Sequence, residues 1–140
     1  MPQNTLRLST SGSGLYDFTA EAAAFAEQNA DAAGLLTCFV RHTSCSLVIQ
    51  ENADPDVCRD LEAFFRRLVP PASDPSMGWL RHTTEGVDDM PAHIKSALTA
   101  TSLSIPITDG RLALGTWQGL YLFEHRDRPH ERQIILHLSQ

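Results

Sequence analysis

The C-terminal third of the chain alternates. Leu103, Ile105 and Ile107 are followed by Leu112 and Leu114, by the apolar run Leu120 to Glu124, and by Ile134, Leu136 and Leu138. Successive side chains of a strand point to opposite faces, so spacing of this kind marks strands with one buried face. Asp109-Gly110 stands between the first two runs and predicts a tight hairpin. The end of the chain must therefore fold as an antiparallel meander, and the rest must cover its apolar face.

Upstream, Leu6 and Leu8 predict a short strand before the Ser-Gly-Ser-Gly turn at 11–14. Asp17 or Thr19 can cap an Ala-rich helix running to about Asn29. Leu35 to Arg41 and Cys45 to Gln50 are β-rich runs. Asp54-Pro55 opens a second helix, with Val57, Leu61, Phe64, Phe65 and Leu68 as its expected buried stripe, and Pro70-Pro71 stops it. Residues 70–87 read as a long loop, and loops of that length are usually functional or disordered. Asp89-Met90-Pro91 opens a third helix, and Pro106 suggests a sheet edge or bulge. Strands, helix, strands, helices and a final meander make an α+β domain rather than a doubly wound parallel sheet. At 140 residues, one domain over 1–140 is expected.

Composition narrows the function. A formal net charge of -6 and the lack of a basic run argue against nucleic acid and membrane surfaces as partners. Cys38, Cys45 and Cys58 have no C-x-x-C spacing, so reduced thiols and a cytoplasmic location are expected. No leader and no membrane span is expected either.

Polar residues interrupt the apolar rows in three places. His42 ends the row Cys38, Val40, and Glu51 ends the row Cys45, Leu47, Ile49. A carboxylate rarely sits in such a row without a partner, whereas a histidine there is as readily a satisfied core residue. Thr43 and Ser44, between these rows, either hold an anion or cap a turn. The third interruption runs from Trp79 to His93 and carries His82, Glu85, Asp88, Asp89 and His93. Asp89 and His93 are four apart and share a helix face. Three histidines with nearby carboxylates suit Zn²⁺ or another first-row divalent ion, although the spacing matches no established metal signature. In Gly115-Thr116-Trp117-Gln118-Gly119, Trp117 stacks on a ring or packs a bulge, and Gln118 reads a ring edge. His125, His130 and His137 read as surface or rim residues.

These stretches resemble the YjbQ family, small proteins described as secondary thiamine-phosphate synthases. The resemblance rests on His42 to Ser46, Glu51 to Val57, His82, Glu85-Gly86, Asp88 to Leu98, and Ile105 through Gln118-Gly119. DDMPAHIKSAL and GRLALGTWQG are its most specific segments. It covers the chain from about residue 36 onward, while the N-terminal part matches in layout only. It implies a mostly antiparallel β-sandwich or pseudo-barrel with about three helices, assembled as a homotrimer with a site near the subunit boundary. The family's motif positions fall on His42, Glu51, His82, Glu85, Asp88, His93 and Gln118. Relatives often carry Ala at Cys45, which speaks against an essential thiol there.

The implied reaction joins a pyrimidine methyl diphosphate to a thiazole phosphate. It needs charge uptake on the leaving diphosphate by Mg²⁺ or Arg. Arg41 and Arg81 lie near the motifs, but imidazoles are poor Mg²⁺ ligands. The expectation is therefore a metal-assisted enzyme acting on a small phosphorylated or heterocyclic molecule. His42, His82 and His93 would bind a divalent metal, Glu85, Asp88 and Glu51 would serve catalysis, and Gln118, Thr43 and Ser44 would contact substrate. A non-enzymatic trimeric protein that binds a small ligand or metal is the alternative.

Overall fold

Asp109 and Gly110 take up left-handed backbone, with φ of 51° and 76°, and turn the hairpin that the sequence predicts. The computed structural model describes every residue from Met1 to Gln140. Eight strands and three α-helices follow one another as β1 (Gln3–Thr10), β2 (Gly14–Asp17), α1 (Thr19–Asn29), β3 (Ala33–Val40), β4 (Cys45–Glu51), α2 (Pro55–Leu68), α3 (Asp89–Leu98), β5 (Ser102–Thr108), β6 (Arg111–Leu112), β7 (Gln118–Glu124) and β8 (His130–Ser139).

All strand pairs are antiparallel. One sheet has the order β1-β8-β3-β5-β6 and the other β2-β7-β4. The inward rows meet in a single core of Leu36, Cys38 and Val40, Ile105 and Ile107, Leu120 and Leu122, and Ile134, Leu136 and Leu138. Phe18, Ala22 and Ala26 of the α1 segment close it. The Asp17 carboxylate accepts the Thr19 N–H and fixes the start of α1. Only Ile107 and Thr108 of β5 pair with β6, and at Pro106 the edge is held by the Ala113 N–H donating to its carbonyl, so the missing Pro106 N–H costs no ladder bond.

The second helix departs from expectation. Asp54 caps it as predicted, accepting the Asp56 N–H at 2.9 Å. None of its residues is fully buried, however, and Phe64 and Leu68 are 57% and 53% exposed. The helix is rolled so that Cys58 and Glu62 turn partly inward together with Val57, Leu61 and Phe65. Phe65 meets Phe123 edge to face at 5.3 Å, and the opposite margin of the apolar stripe faces outward.

The 70–87 loop is organised. Its ends are tied by the Ala72 N–H donating to the Val87 carbonyl, and a 3-10 turn at Pro75–Met77 buries Met77. No helix is long and apolar enough to cross a membrane.

Candidate metal centre

His82 hangs from the organised loop, Asp89 and His93 from the first turns of α3. Gly86, at φ 101°, makes the turn between them, and a Cβ there would stand 3.1 Å from an Asp88 carboxylate oxygen. One oxygen, Asp89 Oδ2, is met by both rings, with His82 Nε2 at 2.7 Å and His93 Nε2 at 3.2 Å. The three ligand atoms lie within 4.8 Å of one another. Asp89 is 2% exposed, while both rings reach solvent.

The His93 tautomer follows from its other side. Nδ1 lies 2.9 Å from the Thr43 carbonyl, which can only accept, so Nδ1 carries the hydrogen. A neutral His93 then aims the Nε2 lone pair at a carboxylate oxygen. A proton or metal ion at Nε2 turns that contact from repulsive to attractive. Ring N–H to backbone carbonyl is also the usual outer partner of a metal-bound imidazole.

Arg126 holds the carboxylates in place. Its Nε donates to Asp88 Oδ2 at 2.9 Å and its Nη1 to Asp89 Oδ1 at 2.7 Å. The Asp127 N–H also donates to Asp88 Oδ2. For both acids, burial pushes the pKa up. Asp88 is brought net below the ordinary carboxylate range by Arg126 and the Asp127 amide, Asp89 by His82, His93 and Arg126. Both are held ionised, as metal ligation or charge balance requires.

Behind the centre lies a buried ion pair. Arg132 Nε donates to Glu124 Oε1 at 2.8 Å, and Thr10 Oγ1 donates to the same oxygen at 2.7 Å. The other oxygen, Oε2, accepts from the N–H groups of His125 and Arg126, so the pair fixes the chain just where Arg126 leaves β7. Arg132 also donates to the Ser44 hydroxyl at 2.9 Å.

The predicted residues therefore divide. The structure brings together His82, Glu85, Asp88 and His93, with Glu85 Oε2 at 3.9 Å from His82 Nε2. Asp89, read only as His93's partner on the helix, is the carboxylate that both rings meet. His42 stands outside the ligand group. Its Nε2 accepts the Gln133 N–H at 2.9 Å, which uses the lone pair that a metal would need, and it lines a groove with Thr43 and His93 instead. Thr43 contributes its carbonyl and Ser44 its hydroxyl, the latter to Arg132 rather than to an open site. Glu51 and Gln118 face each other at the far end of the β4–β7 ladder, whose near end pairs Cys45 with Glu124, so within one chain they lie away from the centre. Gln118 Oε1 accepts the Gly115 N–H, and Trp117 is 62% exposed.

One correction concerns a side chain. His125, expected at the surface, is 2% exposed and lies against Phe123 and Ser46, because the Tyr121–Phe123 face of β7, opposite the core row, is buried as well. Cys45 is fully buried, and burial pushes its thiol up to about 12, so it stays protonated and unreactive.

Comparison with other proteins shows what the chain and its fold are similar to. A family model described as UPF0047 protein YjbQ-like matches residues 4–140. The UPF0047 protein sll1880 of Synechocystis is 55% identical over 137 residues, which cover 98% of this chain and 90% of that one. The UPF0047 protein YjbQ of Escherichia coli is 44% identical over 141 residues, covering 98% and 96%. Among solved structures, a hypothetical protein of Aeropyrum pernix superposes with a TM-score of 0.87 at 29% identity, covering 99% and 98%. A conserved hypothetical protein of Thermus thermophilus superposes with a TM-score of 0.82 at 34% identity, covering 96% and 98%.

Proposed function

The chain belongs to the YjbQ-like UPF0047 family, and from that premise we propose that it is a divalent-metal-assisted enzyme acting on a small phosphorylated or heterocyclic substrate, with His82, Asp89 and His93 as the metal ligands. One observation carries the reading: the Nε2 atoms of two histidines converge on a single buried carboxylate oxygen, with the far side of one ring tied to a backbone carbonyl. Two imidazoles and one carboxylate suit Zn²⁺ or Fe²⁺ and leave positions for water or substrate. Bound there, such an ion supplies Lewis acidity and lowers the pKa of a bound water.

The chain's own residues do the rest. Arg126, itself anchored on Asp88, holds the Asp89 carboxylate in place. Glu85, 63% exposed at its side chain and close to His82, is free to move a proton. A shallow recess beside His82 is lined by Trp79, Leu80, Arg81 and Met90 and offers a ring face and a guanidinium to a substrate. That recess favours thiamine-phosphate synthesis as a narrower form of the reading, with Trp79 stacking a heterocycle and Arg81 taking a phosphate. Mg²⁺ would then rely on the oxygens of Asp89 and Glu85 rather than on the imidazoles.

The working unit in this reading is a homotrimer. Its support is the outward apolar margin of α2, Phe64 and Leu68, with Leu98 and Trp117 also exposed. Assembly would give Glu51 and Gln118 a neighbouring protomer's centre to serve.

Elemental analysis of the purified full chain, followed by Co²⁺ addition and visible spectroscopy, tests the metal. The expected result is one transition metal per chain and cobalt bands that His93→Ala abolishes. A chain that neither carries nor takes up such a metal sinks the proposal.

A further inference from the structure

Lys95 is the only lysine in the chain. It lines a pocket of about 40 Å³ with Ser13, Arg66, Asp88, His125 and Asp127. A water needs roughly 10–15 Å³ of such space, so this pocket takes a few waters or one small group and excludes a heterocycle. It adjoins the proposed metal centre at Asp88 but lies on a different face of α3. Pro91 and Lys95, four apart on α3, face it, whereas His93 and Ala97 line the groove on the helix's other side.

Its donors outnumber its free acceptors. His125 is 2% exposed, its Nε2 lies 2.9 Å from Ser46 Oγ, and its Nδ1 is buried without a hydrogen-bond partner. A buried polar atom of that kind needs a reason, and a ligand is one. The Lys95 ammonium has no carboxylate within ion-pair distance. Arg66 stands at the pocket with one nitrogen on Glu62. The Asp88 carboxylate is already partnered by Arg126 and the Asp127 N–H. Only the Asp127 carboxylate stands in the wall as an uncommitted anion.

We propose that this pocket is an oxyanion site, holding a terminal phosphate or a carboxylate between Lys95, Arg66 and Ser13 with the His125 imidazole at its floor. Charge-assisted bonds from ammonium and guanidinium to oxygen supply the affinity. The neutral ring supplies one further hydrogen bond, and the size of the pocket limits the ligand to a single tetrahedral or planar anion with its outer atoms at the mouth. Asp127 works against such a ligand.

A single lysine makes the test direct. Full-length protein labelled with ¹³C-lysine and ¹⁵N-histidine is titrated at fixed pH with inorganic phosphate, and separately with acetate. The Lys95 and His125 signals are expected to move together and to saturate, and the tighter anion tells phosphate from carboxylate. Lys95→Met should weaken binding about tenfold, while Asp127→Asn should tighten it severalfold by removing a like charge. The second variant guards against a mere folding defect, because damage does not improve affinity. Signals that stay still up to about 10 mM of both anions, or an Asp127→Asn chain that binds no better than the parent, overturn the proposal.

Discussion

His93 and Asp89 stand in a relationship that a free imidazole does not favour: Nε2 is 3.2 Å from the carboxylate oxygen while Nδ1 is spent on the Thr43 carbonyl. A cation between or upon them resolves it. With His82 on the same oxygen, losing either ring removes one of the three proposed ligands. His82→Ala and His93→Ala should each lower metal affinity at least about tenfold to a hundredfold, the range seen even for outer-shell losses. Competition with a chromophoric chelator measures this. Equal affinity in parent and variants would remove the site from this cluster.

Arg126 is the hub that keeps Asp88 and Asp89 apart and aimed. Lysine preserves its charge but not the fork that spans two carboxylates. Arg126→Lys is expected to keep the fold and weaken metal binding. Arg126→Met leaves two acids facing each other and should cost about 3 kcal/mol of stability. Urea unfolding of the metal-free chain separates the two effects, since only the second should appear without metal.

The meander, the capped helices and the His82–His93 segment were legible because each is a local pattern. Asp54-Pro55, Asp109-Gly110 and the spacing of Asp89 and His93 carry their geometry within a few residues. Arg126 was not legible because its partners Asp88 and Asp89 lie 38 and 37 residues away, and the Glu124–Arg132 pair because its two strands belong to different sheets whose approach no local pattern gives. A signal existed for two of them. Arg132 extends the inward row Ile134, Leu136, Leu138, and Glu124 extends Leu120, Leu122, as His42 and Glu51 extend theirs. A charged residue ending one core-facing row calls for an opposite charge ending another, and here β7 and β8 supply both. The outward margin of α2 was not legible, because helical spacing identifies the apolar stripe without fixing how the helix is rolled on the sheet.

Glu124 and Arg132 are 0% and 4% exposed. Glu124→Gln strands a buried guanidinium and should cost about 3 kcal/mol. Burial raises the Glu124 pKa, but Arg132, Thr10 and backbone N–H groups bring it net below its usual value. A lowered folded pKa means that its stabilisation is complete above the unfolded value near 4.3 and is lost as pH falls through the folded one. Parent and variant should therefore differ by a constant amount from pH 7 to about pH 5 and converge only in stronger acid. Convergence already between pH 7 and 6 would show that the pair is not the source.

Phe64 and Leu68 predict association. Light scattering of the parent should give a mass well above the 15.4 kDa chain. Phe64→Asp with Leu68→Asp should shift it toward that value with little change in circular dichroism. A parent chain that is monomeric at micromolar concentration removes the homotrimer from the proposal.

His125 sets the acid limit at neutral-to-mild pH. Burial first, then Lys95 and Arg132, push its pKa from 6.5 down to about 3, with Glu124 opposing. Below about pH 6.5 the unfolded chain takes up a proton that the folded chain refuses, so stability falls with falling pH until the folded ring itself titrates near 3. The slope contributed is at most about 1.4 kcal/mol per pH unit. His42, which accepts the Gln133 N–H and is lowered by burial and by Arg132, tilts stability the same way. It does so equally in parent and variant. His125→Gln keeps a side-chain partner for Ser46 and cannot titrate. Urea midpoints at pH 7, 6 and 5 should therefore fall less steeply in the variant, by close to one proton's worth below pH 6. Parallel curves would mean that the ring charges within the fold at little cost, and that the space around Nδ1 already accommodates an imidazolium.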